Sequence, residues 1–237
     1  LLGRADGVGV LSSEEMSNFV GAGVEGRKVF VVKNVVEREF PPAAGGALAA
    51  RFGFDAGAPV LLFIARFIPA KGLLDVVRAC RILRDRGQRF ALLCVGDGPA
   101  RAGAEAEVLR LGLAERVRFC GYVPEAETGE FYIGSTMLVF PTYHYEGFPM
   151  VVFYALAAGL PVVTTRIRAA GDYLKEPDNC LWAGPRDPAA LAEKIMRLLH
   201  NAELRRRMSE NNRALARRFD AETVAAEYLD VYRRVAG

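Results

Sequence analysis

The sequence predicts an α/β fold: a Rossmann-like, doubly wound parallel sheet flanked by helices. Three observations carry that expectation. Short, nearly unbroken apolar runs recur at 59–65, 90–96, 136–140 and 161–165, as expected of strands covered on both faces. Between them, apolar residues fall at helical spacing, for example Leu73, Val76, Val77, Cys80 and Leu83. Such alternation builds βαβ units and a parallel sheet. Finally, segments 204–218 and 221–235 are both amphipathic with no strand between them, so they are expected to pack outside the sheet.

The elements follow in order. Val29 opens a short β-branched strand that ends at Asn34. Residues 41–46, rich in Pro, Ala and Gly, read as a hinge, and 47–54 as a short helix. Residues 1–40 therefore look like the tail of something else, linked to the main domain. From Pro59 the pattern is regular. Strand 59–65 leads into a helix that Gly87 ends. Strand 90–96 precedes a helix carrying Ala104, Val108 and Leu111. Strand 116–121 precedes a helix over 125–133. Strand 136–140 leads through a polar loop to a helix that starts at Pro149, where proline suits the first turn, and stops at Gly159. Strand 161–165 and a last βα unit, 180–184 with helix 188–200, complete the domain.

Composition limits the function classes. A length of 237 residues corresponds to roughly one and a half domains. With 51% hydrophobic and 25% charged residues the chain is ordinary for a soluble globular protein. A net charge of +3 and no recognised binding motif argue against a nucleic-acid partner. Cys80, Cys94, Cys120 and Cys180 form no C-x-x-C pair, so neither a zinc site nor a redox motif is suggested. They read as small apolar residues in a reducing compartment. No run has the length of a membrane-spanning helix, and the first residues lack the features of a signal peptide. The chain also lacks an initiating Met. A fragment of a cytoplasmic protein, with a partner domain missing, is expected.

In doubly wound sheets ligands lie at the carboxyl ends of the strands, which singles out four loops: 65–72, 96–99, 144–149 and 166–172. The first carries Arg66 and Lys71. Two groups that are cationic at neutral pH and aimed at one spot suit a diphosphate; the alternative is a pair of solvated charges. The second, Gly96-Asp97-Gly98-Pro99, is not a dinucleotide fingerprint, because Arg101 stands where the third glycine belongs. An NAD site is thus disfavoured. The turn either lets the backbone approach a planar ring or is simply a turn. In the third loop, Glu146 stands at a strand-to-helix turn beside Gly147, Phe148 and Pro149. Its carboxylate can accept from hydroxyls while unpaired helix-start N–H groups receive an anion. His144 is either a base or incidental. The arginines of 205–218 form a solvated helix face or dock on anionic lipid heads.

Taken together, these loops resemble the C-terminal, donor-binding half of a GT-B glycosyltransferase of the large retaining family 4. The landmarks are Arg66 with Lys71-Gly72, Gly96-Asp97-Gly98-Pro99, Phe119-Cys120-Gly121-Tyr122-Val123, Glu146-Gly147-Phe148-Pro149 and Ala155-Leu156-Ala157-Ala158-Gly159-Leu160-Pro161-Val162-Val163. Lys33-Asn34-Val35-Val36 resembles the exit from the N-terminal domain. The resemblance implies a nucleotide-diphosphate sugar donor (UDP-, GDP- or ADP-linked) and transfer with retention of configuration. It implies that Arg66 and Lys71 hold the diphosphate, that Gly96, Gly98 and Pro99 border the base, and that Glu146 contacts the sugar. It implies no metal and no cofactor. Residues 1–40 would then be the tail of a missing N-terminal acceptor domain with the interdomain linker, 41–218 the donor domain and 219–237 a C-terminal helix. One position departs from the pattern: Tyr154 stands where the family has a second glutamate that contacts the ribose. A phenol makes a weaker, single-pointed contact, which leaves open a non-catalytic nucleotide-sugar or glycan-binding module, or a degenerate partner subunit. Peripheral contact with the inner face of a membrane is also compatible with the arginine run.

Overall fold

The computed structural model describes residues 5–37, 40 and 47–236. The hinge expected at 41–46 lies outside the described residues. Two parallel sheets are present. The smaller pairs β1 (Val8–Val10) with β2 (Val29–Val31), joined across α1 (Ser13–Gly21). The larger contains β3 (Val60–Ile64), β4 (Ala91–Val95), β5 (Val117–Gly121), β6 (Met137–Phe140), β7 (Val162–Thr164) and β8 (Leu181–Trp182) in the spatial order β5-β4-β3-β6-β7-β8. All its pairings are parallel. Every residue of β3, β4, β6 and β7 is buried, which is why these strands read as unbroken apolar runs.

The helices α2 (Ala47–Arg51), α3 (Leu73–Asp85), α4 (Arg101–Arg110), α5 (Gly129–Gly134), α6 (Met150–Ala158), α7 (Arg168–Tyr173) and α8 (Pro188–Leu199) flank the sheet. The single helix expected over 125–133 is instead a 3-10 turn, Glu125–Glu127, followed by α5. Pro124 starts the tight turn, and Gly129 lies at the junction where the helix restarts. The N-terminal segment holds more regular structure than the one expected strand at Val29, since β1 and α1 precede it.

Outside the sheet, α9 (Ala202–Ala216) packs on α6 and α8. Four arginines of the 205–218 run have partners within the chain. Arg205 donates to the carbonyls of Leu198 and Leu199 at the end of α8. Arg213 donates to that of Ala158 at the end of α6, favourable positions for a cation. Arg206 pairs with Glu203 and Glu210, and Arg218 lies against the Tyr173 ring. The final helix, α10 (Ala221–Ala236), returns to the N-terminal segment. Lys33, 8% exposed, pairs with Glu227, and the Val36 amide donates to the Phe219 carbonyl at 2.8 Å.

Candidate functional site

The strand order reverses direction between β3 and β6, the topological switch point where doubly wound sheets bind ligands. The loops carrying Arg66, Lys71 and Glu146 emerge there side by side. They are stitched together: the Tyr143 amide donates to Ala70 at 2.8 Å, its phenol donates to the Pro69 carbonyl at 2.7 Å, and Thr142 Oγ1 donates to Ala70 at 3.3 Å. Gly72 makes the close approach possible. Its φ is 80°, and a Cβ there would sit 2.6 Å from the Pro141 carbonyl oxygen.

The result is a direct ion pair between Lys71 Nζ and Glu146 Oε1, with side chains only 12% and 16% exposed. Burial and the neighbouring Arg66 guanidinium pull the Lys71 ammonium down to about 8, and the Glu146 carboxylate in contact opposes both. The His144 imidazole is also held below its usual value, by burial and then by Lys71 and Arg66. Among the described residues Arg66 has no carboxylate partner, so the cluster keeps a spare positive charge. Helix α6 begins beside it with no side-chain cap and no acidic residue in its first turn. The start of α6 thus adds positive potential to the same spot.

A cavity of about 310 Å³ adjoins Arg66. Its walls are residues 64–66 at the end of β3, 95–97 at the end of β4, and Tyr122 and Val123 after β5. A second cavity of about 380 Å³ lies on the other side of the Glu146 loop, between residues 143–145, 165–168 and 182–185 and Glu14. Arg166 of the fourth loop lines it.

Several expected residues have other positions than anticipated. Gly96 lines the first cavity, but Gly98 and Pro99 do not. Both glycines face protein: a Cβ on Gly96 would meet the Ala65 carbonyl and one on Gly98 the Phe67 carbonyl. Both glycines thus let the loops after β3 and β4 touch, and Gly96 does so at the cavity wall. The Phe148 side chain is buried, stacked on Phe153 with centroids 3.8 Å apart and packed edge-on to Phe219. Only its backbone can face a ligand. Gly147 backs onto Leu11 and Glu15 of the N-terminal segment. Pro149 is the N-cap of α6. Tyr154 lies on α6, its ring edge-on to Tyr132, and its hydroxyl donates to Glu125 Oε1 at 2.5 Å.

The sequence singles out loop 166–172, but not the roles of its Arg168 and Asp172. Arg168, at a φ of 38°, pairs with Glu15 of α1 and covers the Tyr145 ring at 3.9 Å. Asp172 accepts from the Ser13 amide at 2.7 Å and from its hydroxyl. These contacts clamp α1 over the Glu146 loop. One local signal existed: Ser12 followed by Glu15 is a capping pattern, and Ser12 Oγ accepts from the Glu15 amide at 3.2 Å.

A parallel sheet wound on both faces, with cations and a carboxylate at its switch point, has the architecture of one half of a GT-B glycosyltransferase. Residues 47–215 match the family described as Glycosyl transferases group 1, and the chain belongs to that family. It is 32% identical over 243 residues to the 2-deoxystreptamine glucosyltransferase of Streptomyces kanamyceticus, covering 100% of this chain and 62% of that protein. It is 32% identical over 221 residues to the D-inositol 3-phosphate glycosyltransferase of Acidothermus cellulolyticus, covering 89% of this chain and 49% of that one. The chain thus spans about half to two thirds of the length of these relatives. The Anabaena HepE structure with UDP and glucose superposes with a TM-score of 0.85 at 21% identity, over 97% of this chain and 63% of that one. Sucrose-phosphate synthase from Thermosynechococcus elongatus does so at 0.82 and 26% identity, over 99% and 59%.

The Lys71 titration predicts a pH dependence. The ammonium is charged below about pH 8, so affinity for a nucleoside diphosphate should be full below that value and fall as pH rises through it. A bound anion raises the Lys71 value, so the fall approaches tenfold per pH unit over the interval between the free and bound values. Calorimetric titrations at pH 6.5 to 9.5 would show it; a flat profile would remove Lys71 from the binding step.

Proposed function

We propose that this chain is the donor-binding half of a family 4 glycosyltransferase that transfers a sugar from a nucleotide-diphosphate sugar with retention of configuration. The observation that carries this reading is the placement of Arg66, Lys71 and Glu146 together at the switch point, beside the uncapped start of α6 and a mainly apolar cavity of about 310 Å³. The cavity suits a base, the cations a diphosphate, and Glu146 the hydroxyls of the sugar. When the bond from the anomeric carbon to phosphate breaks, negative charge develops on the leaving diphosphate. Arg66, Lys71 and the α6 dipole are placed to stabilise it, fixed in advance in a partly dry site. We propose that this charge is met without a metal ion.

The longer relatives support an N-terminal acceptor domain as partner, with residues 1–40 as its end and the linker, 41–218 as the donor domain and 219–237 as the closing helix. The packing of α10 on the N-terminal segment fits that division. A cytoplasmic location is proposed as well. Contact with the inner face of a membrane is proposed for the exposed arginines of the run, of which Arg207 and Arg217 have no hydrogen-bond or ion-pair partner among the described residues. No helix of the described residues is long and apolar enough to cross a membrane.

A thermal-shift panel of UDP, GDP, ADP and NAD tests the donor reading. Stabilisation by at least one diphosphate is expected; a response to NAD alone would overturn it. A second reading, a non-catalytic nucleotide-sugar binding module, is favoured by Tyr154 in place of the expected glutamate. Release of UDP from UDP-glucose by the full-length protein would exclude it.

A further inference from the structure

We infer that the cavity on the far side of the Glu146 loop is an acceptor subsite. It takes a six-membered polyol ring, a hexose or a cyclitol, laid against Trp182 with hydroxyls toward Glu14, His144 and Arg166. The inference rests on the donor reading above and deepens it by naming the chemistry of the acceptor.

The order of the strands carries the placement. From the cavity beside Arg66, at the ends of β4 and β3, a nucleotide sugar crosses to Lys71 and Glu146 at the switch between β3 and β6. The next strands along the sheet are β7 and β8. The second cavity, of about 380 Å³, opens at their carboxyl ends, behind residues 143–145 of the Glu146 loop. A sugar held by Glu146 therefore has the base cavity on one side and this cavity on the other. Reacting atoms must come within about 3–3.5 Å of each other. A hydroxyl that attacks the anomeric carbon thus has to be presented from a space in contact with that loop. This cavity is such a space, and its volume suits a small ligand.

The walls select a ring over a chain. Tyr143, Tyr145 and Trp182 line a mainly apolar cavity. Arg186 lies over the Tyr143 ring at 4.6 Å, and Arg168 over the Tyr145 ring at 3.9 Å. Among the described residues no cation and no other ring lies against Trp182, which packs on the core and is partly exposed. It is the aromatic face left for a ligand. The negative face of an aromatic ring attracts the outward C–H bonds of a pyranose or cyclitol; a flexible acyclic polyol presents no such flat surface. Polar groups stand among the same lining residues. The Glu14 carboxylate accepts from hydroxyls, and its ion pair with Arg168 Nε, at 3.8 Å, is longer than a hydrogen bond. The His144 imidazole offers a donor and an acceptor, and Arg166 has no carboxylate partner among the described residues. Few polar groups converging on an apolar wall is the usual make-up of a small-molecule site. Glu14 belongs to α1, which the Arg168–Glu15 and Asp172–Ser13 contacts hold in place.

Two substitutions separate this cavity from the donor site. Glu14 and Arg166 line it and do not line the cavity beside Arg66, and both are exposed. Glu14→Gln and Arg166→Ala should therefore fold normally and keep the affinity for a nucleoside diphosphate. Each should weaken a ring polyol, by about tenfold for Glu14→Gln, which removes hydrogen bonds to a charged group.

Trp182 is the only tryptophan of the chain, so its emission reports on this cavity directly. The test saturates the chain with whichever of UDP, GDP and ADP it binds, then titrates myo-inositol, glucose and glycerol at millimolar concentrations. A saturable change in Trp182 emission is expected with myo-inositol or glucose and none with glycerol. The midpoint should rise about tenfold in Glu14→Gln, with diphosphate affinity unchanged by calorimetry. No response to either ring, an equal response to glycerol, or a response that both variants leave unaltered would overturn the inference while the donor reading stands. Should the chain bind none of UDP, GDP and ADP, the donor reading falls and the acceptor assignment with it, whatever Trp182 reports.

Discussion

Replacing Lys71 with alanine should weaken UDP binding at least tenfold, and by up to a hundredfold. A hydrogen bond to a charged group contributes about 1.5–3 kcal/mol, and each 1.4 kcal/mol is a factor of about ten. The structure adds a second reason. Lys71 neutralises Glu146, and both are largely buried. Without the ammonium, an unpaired carboxylate faces the incoming diphosphate, and an uncompensated buried charge is itself costly. The two substitutions should therefore not be additive. Adding Glu146→Gln to Lys71→Ala should recover part of the lost UDP affinity, while Glu146→Gln alone should reduce affinity for the sugar nucleotide more than for UDP. Calorimetry of the two single variants and the double variant forms the cycle. Unchanged affinity in Lys71→Ala would remove the phosphate assignment.

The second large effect is on stability, at Gly96. This residue has a φ of 127°, and a Cβ would overlap the Ala65 carbonyl oxygen and lie 3.2 Å from the Phe67 ring. The neighbour is backbone that cannot rotate away. It is held by hydrogen bonds that sew the loops after β3 and β4 together: Ala65 N–H to Val95 O at 3.0 Å, and Phe67 N–H to Asp97 O at 2.7 Å. Backbone strain alone is worth about 1–3 kcal/mol, and overpacking adds a similar amount. Gly96→Ala should thus lose at least about 3 kcal/mol and lower Tm by roughly 6–12 °C, at about 2–4 °C per kcal/mol for a chain of this size. Gly103→Ala is the control. That glycine lies inside α4, and a methyl group there would have nothing within 4 Å beyond its own helix and chain neighbours. Alanine at this position should be neutral or stabilising by up to about 1 kcal/mol. Equal melting temperatures for the two variants would refute the close-contact account of Gly96.

The sequence by itself determined the class of fold, the order of strands 59–65 to 180–184, and the loops to inspect. Apolar periodicity records burial locally, and β3, β4, β6 and β7 are buried on both faces, so they were legible. Lys71 and Glu146 were legible for a related reason: each lies in the loop that follows such a strand. Their direct contact was not, because it depends on Gly72 backing onto Pro141. The tertiary structure alone decided the rest. It showed that Gly96 and Gly98 let the loops after β3 and β4 touch, and moved the Phe148 ring into the core. It joined Arg168 to Glu15 and Tyr154 to Glu125, pairs separated by 153 and 29 residues in the chain. Such pairs leave no periodic trace, since nothing in the neighbouring residues of either partner registers the other. Tyr154 alone looked like the loss of a carboxylate; the fold places another carboxylate against its hydroxyl.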